Sequence, residues 1–158
     1  MAIPAPIEQF VTSNGVVFMP VHHRLAYTAQ EEAAVTHVPG REWAKTVVWF
    51  ADGEPVQAVL PAHMSVDIER LRQLIGARAV RLAREDEIVP LYPGCEPGAM
   101  PPFGPMYKQR VLVEKELTND VDIVFNAGTH TDAMRMKYAD FANLVKPVVG
   151  EFGRTPGH

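Results

Sequence analysis

The sequence predicts an α+β fold with a mixed, mostly antiparallel sheet flanked by helices, and three observations predict it. Thr46-Val47-Val48-Trp49-Phe50 is an unbroken β-prone run, and Val56 to Leu60 is a second one. Between them lies Asp52-Gly53, a dipeptide suited to a two-residue hairpin turn. Ile68, Leu71, Leu74 and Ile75 recur at helical spacing, with Glu69, Arg70, Arg72 and Gln73 between them. Helix and strand signals alternate irregularly, which argues against a doubly wound parallel sheet.

The elements follow in chain order. Ile7 to Thr12 reads as a short helix stopped by Ser13-Asn14-Gly15, and Val16 to Val21 as a strand. Thr28-Ala29-Gln30-Glu31 has the form of a capping box, so a helix is expected from Ala29 to Thr36, closed by Pro39-Gly40. Thr46 to Phe50 is continuously apolar and reads as a strand buried on both faces. Ser65 is expected to cap a helix reaching Ala77. A strand at Ala79 to Leu82 and a helix at Glu85 to Leu91 come next. Residues 93–105 carry too much Gly and Pro for either element. Val111 to Glu114, Ile123 to Ala127 and Asp132 to Lys137 read as strands, and Ala139 to Val145 as the last helix. The final six residues, GRTPGH, are expected to be loose.

With 158 residues, 47% hydrophobic and 22% charged, the chain has the size and composition of one globular domain. Its net charge of −4 excludes a protein that coats duplex nucleic acid, and DNA is not an expected partner. A single cysteine, Cys95, excludes an internal disulfide and suits a reducing compartment. No run approaches the ~20 apolar residues of a membrane span, and the first ten residues, MAIPAPIEQF, lack the basic start and long apolar run of a secretory leader, so none is expected. The expected location is cytoplasmic.

Several chemistries are excluded. The two serines, Ser13 and Ser65, fall in no G-x-S-x-G. No phosphate-binding glycine motif, no H-E-x-x-H and no paired C-x-x-C occurs, and the six histidines lack zinc spacing. Neither a metal nor a cofactor is expected. Cys95 reads as a nucleophile or, more commonly for a lone cysteine, as a small buried residue.

Three features remain. Lys45 opens the most apolar strand, either as a positioned cation or as a strand-end lysine snorkelling to water. Gly98-Ala99-Met100-Pro101-Pro102-Phe103-Gly104 is a stiff loop, a source of main-chain donors or a plain surface connection. Asn126-Ala127-Gly128-Thr129-His130 ends a strand in a glycine turn, and His130 reads as a substrate contact or as a structural residue.

The joint order of these features, with His23, Tyr27-Thr28-Ala29, Gly40-Arg41-Glu42-Trp43-Ala44-Lys45-Thr46 and Glu96-Pro97-Gly98, resembles the YbaK / prolyl-tRNA-synthetase-associated domain family over about residues 7–152. The resemblance implies a barrel-like sheet in a single domain. It implies a trans-acting enzyme that hydrolyses the ester of mischarged tRNA, such as alanyl- or cysteinyl-tRNA for proline. The family's essential lysine matches Lys45, its G-x-x-x-P loop matches Gly98 to Pro102, and its glycine turn matches Gly128 to His130. Lys45, Gly98 and His130 are then the expected catalytic residues. His23, Thr28, Thr46, Ala99, Met100, Pro101, Pro102, Gly128 and Thr129 are expected at the substrate.

In this chemistry Lys45 anchors the terminal phosphate or polarises the ester carbonyl, and amides near Gly98 and Ala99 hold the acyl group. Water or the ribose hydroxyl attacks. The expected partner is the acceptor end of tRNA, gripped by Lys108, Arg110, Arg135 and Lys137 unless these form only a solvated face. An aminoacyl-tRNA synthetase is a candidate second partner. The sequence departs from the family at Thr46, where the alanine-editing branch has asparagine, and the histidine of the Gly128 turn is absent from the cysteine-editing branch. Two other readings stay open: a non-catalytic tRNA- or synthetase-binding module, and a hydrolase of small aminoacyl esters or thioesters.

Overall fold

A computed structural model describes residues 2–26, 28–36 and 38–155, without the side chains of residues 29, 32 and 35. Tyr27 and the last three residues of the tail lie outside this set. In chain order the elements are α1 (Ala5–Ser13), β1 (Met19–His22), α2 (Ala29–Thr36), β2 (Ala44–Ala51), β3 (Glu54–Pro61), β4 (Ser65–Val66), α3 (Ile68–Ile75), β5 (Val80–Leu82), α4 (Glu85–Leu91), β6 (Arg110–Glu114), β7 (Asp122–Thr129), β8 (Asp132–Lys137), α5 (Tyr138–Val145), β9 (Val148–Gly150) and β10 (Gly153–Arg154). Short 3-10 turns occupy Gly104–Tyr107 and Lys115–Asn119. No helix among the described residues is long and apolar enough to cross a membrane.

The mixed, mostly antiparallel α+β arrangement is the one the sequence predicts. Strands β2 and β3 form a hairpin whose turn residues Asp52 and Gly53 both have positive φ, 49° and 84°, the geometry of a type I′ turn. The hairpin sits inside a five-stranded sheet of order β5-β2-β3-β6-β9, with β3–β6 and β6–β9 parallel. Strands β1, β8 and β7 form a second, antiparallel sheet, and β10 pairs with β4. Among the described residues the strands do not close into the barrel implied by the resemblance. The two larger sheets meet where Trp43 bridges Val124 in parallel and the Val124 amide donates to the Glu42 carbonyl at 3.0 Å. Phe103, Phe125, Phe141, Ile7, Val59 and Val113 fill the main core, and Leu60, Leu71, Leu112 and Phe152 fill a second one under α3.

Local expectations are corrected in four places. Ser65 does not cap α3: it pairs with Arg154, and Asp67 takes the cap by accepting the Arg70 amide at 3.1 Å. That helix stops at Ile75, before Ala77, because Gly76 turns left-handed. Ile68 is 52% exposed, off the buried face on which Leu71 lies. Strand β1 begins at Met19 and not at Val16, because the Val16 amide is spent on the Val11 carbonyl as α1 unwinds. Part of the tail is paired, through Gly153 and Arg154. Strand β2 is not buried on both faces throughout: Lys45, Thr46 and Val47 are half-buried, and they are the residues that open onto a cavity.

Candidate active site

The start of β2, the end of β7 and the loop at residues 96–102 converge on a cavity of about 130 Å³. Lys45, Thr46, Trp43, Gly98, Met100 and Asn126 line it. The Lys45 ammonium donates to the Ala62 carbonyl at 3.4 Å, one partner for three N–H groups. Burial disfavours its charge and holds the amine below the ordinary lysine range. Thr46 Oγ1 and Asn126 Oδ1 are buried and have no hydrogen-bond partner among the described residues.

The proline-rich loop is held to β7 by main-chain bonds. The Glu96 amide donates to the Gly128 carbonyl and the Gly128 amide to the Ala99 carbonyl, each at 2.8 Å. From below, the fully buried Gln57 donates through Nε2 to the Pro101 carbonyl and to the Tyr92 hydroxyl, both at 3.1 Å. The Tyr92 hydroxyl in turn donates to Gln109 Oε1. Gly98 is exposed, with φ +87°, and its amide faces the Met100 thioether at 3.1 Å. Sulfur is a weak acceptor, so this N–H is open to exchange for an oxygen.

His130 does not line the Lys45 cavity. Its Nε2–H donates to the Pro97 carbonyl at 2.9 Å, and its amide donates to Glu96 Oε1 at 3.1 Å. The ring lines an adjoining cleft that shares Gly98 with the cavity. Its visible contacts brace the loop.

The other sequence-selected residues fall away from the cavity for physical reasons. Thr28 is exposed and caps α2, accepting the Glu31 amide at 3.1 Å. The Ala99 amide is closed into a turn on the Glu96 carbonyl at 3.0 Å and its side chain is fully buried, so it offers no free donor. Pro101 and Pro102 are buried behind Met100 in sequence. Thr129 is tied to Asp132 Oδ2 at 2.7 Å, and Gly128 packs on Pro4 and Ile7. His23 sits one layer back, edge-on to Trp43 at 5.8 Å, with Nδ1–H on the Arg24 carbonyl.

Cys95 is half-buried and 3.6 Å from the Tyr107 hydroxyl, and burial pushes its thiol up, away from a nucleophilic thiolate. Lys108 and Arg110 border a groove with Asp52 and Glu54 at the hairpin turn, roughly 20 Å along β2 from Lys45. Arg135 faces Asp122 at 3.8 Å. Among the described residues no group of three His, Cys, Asp or Glu is placed to hold a metal.

Asn126 is the polar cavity residue that sequence reasoning left out, along with the apolar Trp43, Ala44 and Val47. It stood inside a motif in which the glycine and histidine drew attention. The usable signal was an asparagine inside an otherwise apolar strand, where this residue is depleted.

Known proteins bear on this arrangement. The chain is 28% identical over 150 residues to the multifunctional Ser/Thr-tRNA deacylase ProXp-y of Escherichia coli K12, covering 92% of this chain and 89% of that one. It is 34% identical over 109 residues to the proline–tRNA ligase of Anaeromyxobacter sp. strain K, covering 69% of this chain but 18% of the ligase. It thus spans under a fifth of that ligase. The solved hypothetical protein APE2540 has the same fold, with a TM-score of 0.84 at 22% identity over 94% of this chain and 99% of that one. So does a solved candidate trans-editing enzyme for prolyl-tRNA synthetase, with a TM-score of 0.80 at 17% identity over 95% and 96%. The family model for the aminoacyl-tRNA editing domain matches residues 23–144, most of the chain and all of the cavity-lining residues named above, and the chain belongs to that family.

Proposed function

We propose that this chain is a single trans-acting editing domain that hydrolyses the ester between a small amino acid and the terminal ribose of a mischarged tRNA, in the cytoplasm. The observation that carries this reading is the desolvated Lys45 ammonium in a small cavity shared with the Gly98 amide. An aminoacyl ester is already activated, so its hydrolysis needs position and charge more than a protein nucleophile. Lys45 holds a phosphate or the ester carbonyl with the N–H groups left over from Ala62. The Gly98 amide leaves the Met100 sulfur and donates to the carbonyl oxygen as negative charge develops there.

Water, or the neighbouring ribose hydroxyl acting as base for it, adds to the carbonyl carbon. The bond to the ribose oxygen breaks, that oxygen takes up a proton, and the amino acid leaves as its carboxylate. His130 acts through the loop, by holding the Pro97 carbonyl. The tRNA partner is engaged at its acceptor end. The ligase similarity supports a functional tie to prolyl-tRNA synthetase, and tRNA for proline is the first candidate body.

The test is a panel of alanyl-, cysteinyl-, seryl- and threonyl-tRNA, including tRNA for proline, incubated with the wild-type chain and with Lys45→Met. The wild type is expected to release at least one amino acid. The variant should lose on the order of 10²–10³-fold while keeping its circular dichroism spectrum. Full activity of Lys45→Met, or hydrolysis of none of the panel, overturns the reading. Cleavage of small aminoacyl esters with no preference for tRNA moves it to a metabolite hydrolase.

A further inference from the structure

Resting on the deacylase reading above, we propose that Tyr92 is a positioning residue for that reaction, which grips both arms of the loop carrying Gly98: one with its carbonyl, the other with its hydroxyl through Gln57.

Tyr92 closes α4, where its amide donates to the Ile88 carbonyl at 3.2 Å. It is 1% exposed, and its ring stands 4.5 Å from that of Tyr107. The residue is thus fixed by its own helix and by packing. Its carbonyl accepts the Cys95 amide at 3.1 Å, which sets the incoming arm just ahead of Gly98. The outgoing arm is harder to hold. Pro101 and Pro102 have no N–H, so a main-chain anchor on them has to be a carbonyl. The Pro101 carbonyl accepts from Gln57 Nε2 at 3.1 Å.

The bonds behind that anchor run in one direction. A carbonyl only accepts, so Gln57 turns its NH₂ and not its oxygen towards Pro101. The same Nε2 donates to the Tyr92 hydroxyl at 3.1 Å. The phenol oxygen therefore accepts, and its proton goes to Gln109 Oε1. Burial pushes the phenol up to about 12, so it keeps this proton across the neutral range.

The last torsion of a glutamine side chain is broad, and a single bond to Pro101 does not fix the plane of the amide. The Tyr92 hydroxyl supplies the second contact that does. What it controls lies nearby. Main-chain bonds to Gly128 hold the loop at Glu96 and Ala99. Met100 follows, lining the Lys45 cavity with its sulfur on the Gly98 amide. It stands between the Gly128 bond at Ala99 and the Gln57 bond at Pro101. Loss of the hydroxyl loosens the second of these and lets Met100, and with it Gly98, shift against the substrate.

The test measures kcat and KM for the ester of the panel above that the wild type cleaves fastest. The proteins are wild type, Tyr92→Phe, Gln57→Leu, their double variant and Tyr107→Phe, each assayed well below its own Tm. Tyr92→Phe is expected to lose about 10–100-fold in kcat, with KM held within about threefold. The double variant should lose no more than about twofold beyond the worse single variant, because both changes break one chain of bonds. Tyr107→Phe removes a hydroxyl that faces the Cys95 sulfur at 3.6 Å, and it should keep kcat within about twofold. If Tyr92→Phe does not fold, Gln109→Met takes its place in the cycle, since it removes the acceptor at the far end of the same chain. A lowered Tm with kcat unchanged in Tyr92→Phe overturns the inference and leaves the deacylase reading standing. So do losses that multiply in the double variant, or an equal loss in Tyr107→Phe. Hydrolysis of no ester by the wild type overturns both.

Discussion

The Gly128 amide donates to the Ala99 carbonyl at 2.8 Å, which ties the end of β7 to the loop beside Lys45. Gly128 stands at φ +99°, and a Cβ there would lie 2.9 Å from two ring atoms of Pro4 and 3.0 Å from Ile7. Both backbone strain and overpacking oppose any side chain. Gly128→Ala is expected to cost about 2–3 kcal/mol, on the order of 5–10 °C in melting temperature for a chain of this size. Calorimetry checks it, and an unchanged Tm would show that α1 yields without cost.

The same loop is anchored from below by Gln57. Replacing it with leucine leaves the Pro101 carbonyl buried without its donor and the Tyr92 hydroxyl without one of its two partners. That costs about 1–3 kcal/mol. If the Gln57 bond sets the position of Gly98 and Met100, kcat for deacylation also falls, by up to about 10²-fold for a 1 Å displacement. Single-turnover rates measured well below the new Tm separate the two effects. A loss of stability with kcat intact would confine Gln57 to the core.

Much of this was legible from local pattern. The Asp52-Gly53 hairpin, the α2 cap at Thr28 and helix α4 each depend on residues within a few positions of one another, which is the range over which sequence speaks plainly. Ser65 failed as a cap because the competing interaction was remote: pairing with Arg154 pulled it into a strand, and Asp67 stood ready two residues later. The cavity was half legible. An aligned lysine, Lys45, and a glycine loop stand out in one dimension. Their meeting with Asn126 depends on the parallel bridge of Trp43 to Val124, a contact between residues 81 positions apart for which no local pattern exists. His130 stood out by residue type, yet what it does in the fold is set by the Pro97 carbonyl it reaches.

Glu114 is a remote anchor of the kind that sequence hides. The residue is 2% exposed, and its carboxylate Oε2 accepts the Phe152 amide at 2.8 Å and the Gly153 amide beside it. Those bonds close β10 against β4. Glu114→Ala strands two main-chain donors and is expected to cost about 2–4 kcal/mol. Faster hydrogen exchange confined to residues 150–154 would locate the damage, and unaltered exchange there would refute the role.

A last prediction concerns Asp120, which follows the 3-10 turn at Lys115–Asn119 and has a buried Oδ2 without a partner among the described residues. Burial, reinforced by Glu42 and Glu116 and opposed by Arg41 and His63, pushes its carboxyl from 3.8 up to about 6. Between these two values the unfolded chain has lost the proton and the folded chain still holds it. Folded stability from this group therefore falls as pH rises through that window, and the cost is complete above about 6. Asp120→Asn removes the titration. Because the residue is partly exposed, solvent screens the effect, and the gain at pH 7.5 is on the order of 1 kcal/mol, about 2–4 °C in Tm. At pH 4 the aspartate is largely neutral in the folded state, so the variant and the wild type should melt together. Melting curves at the two pH values check the sign. A variant less stable than wild type at pH 7.5 would mean that Arg41 and His63 outweigh burial and that the carboxylate is held in its charged form.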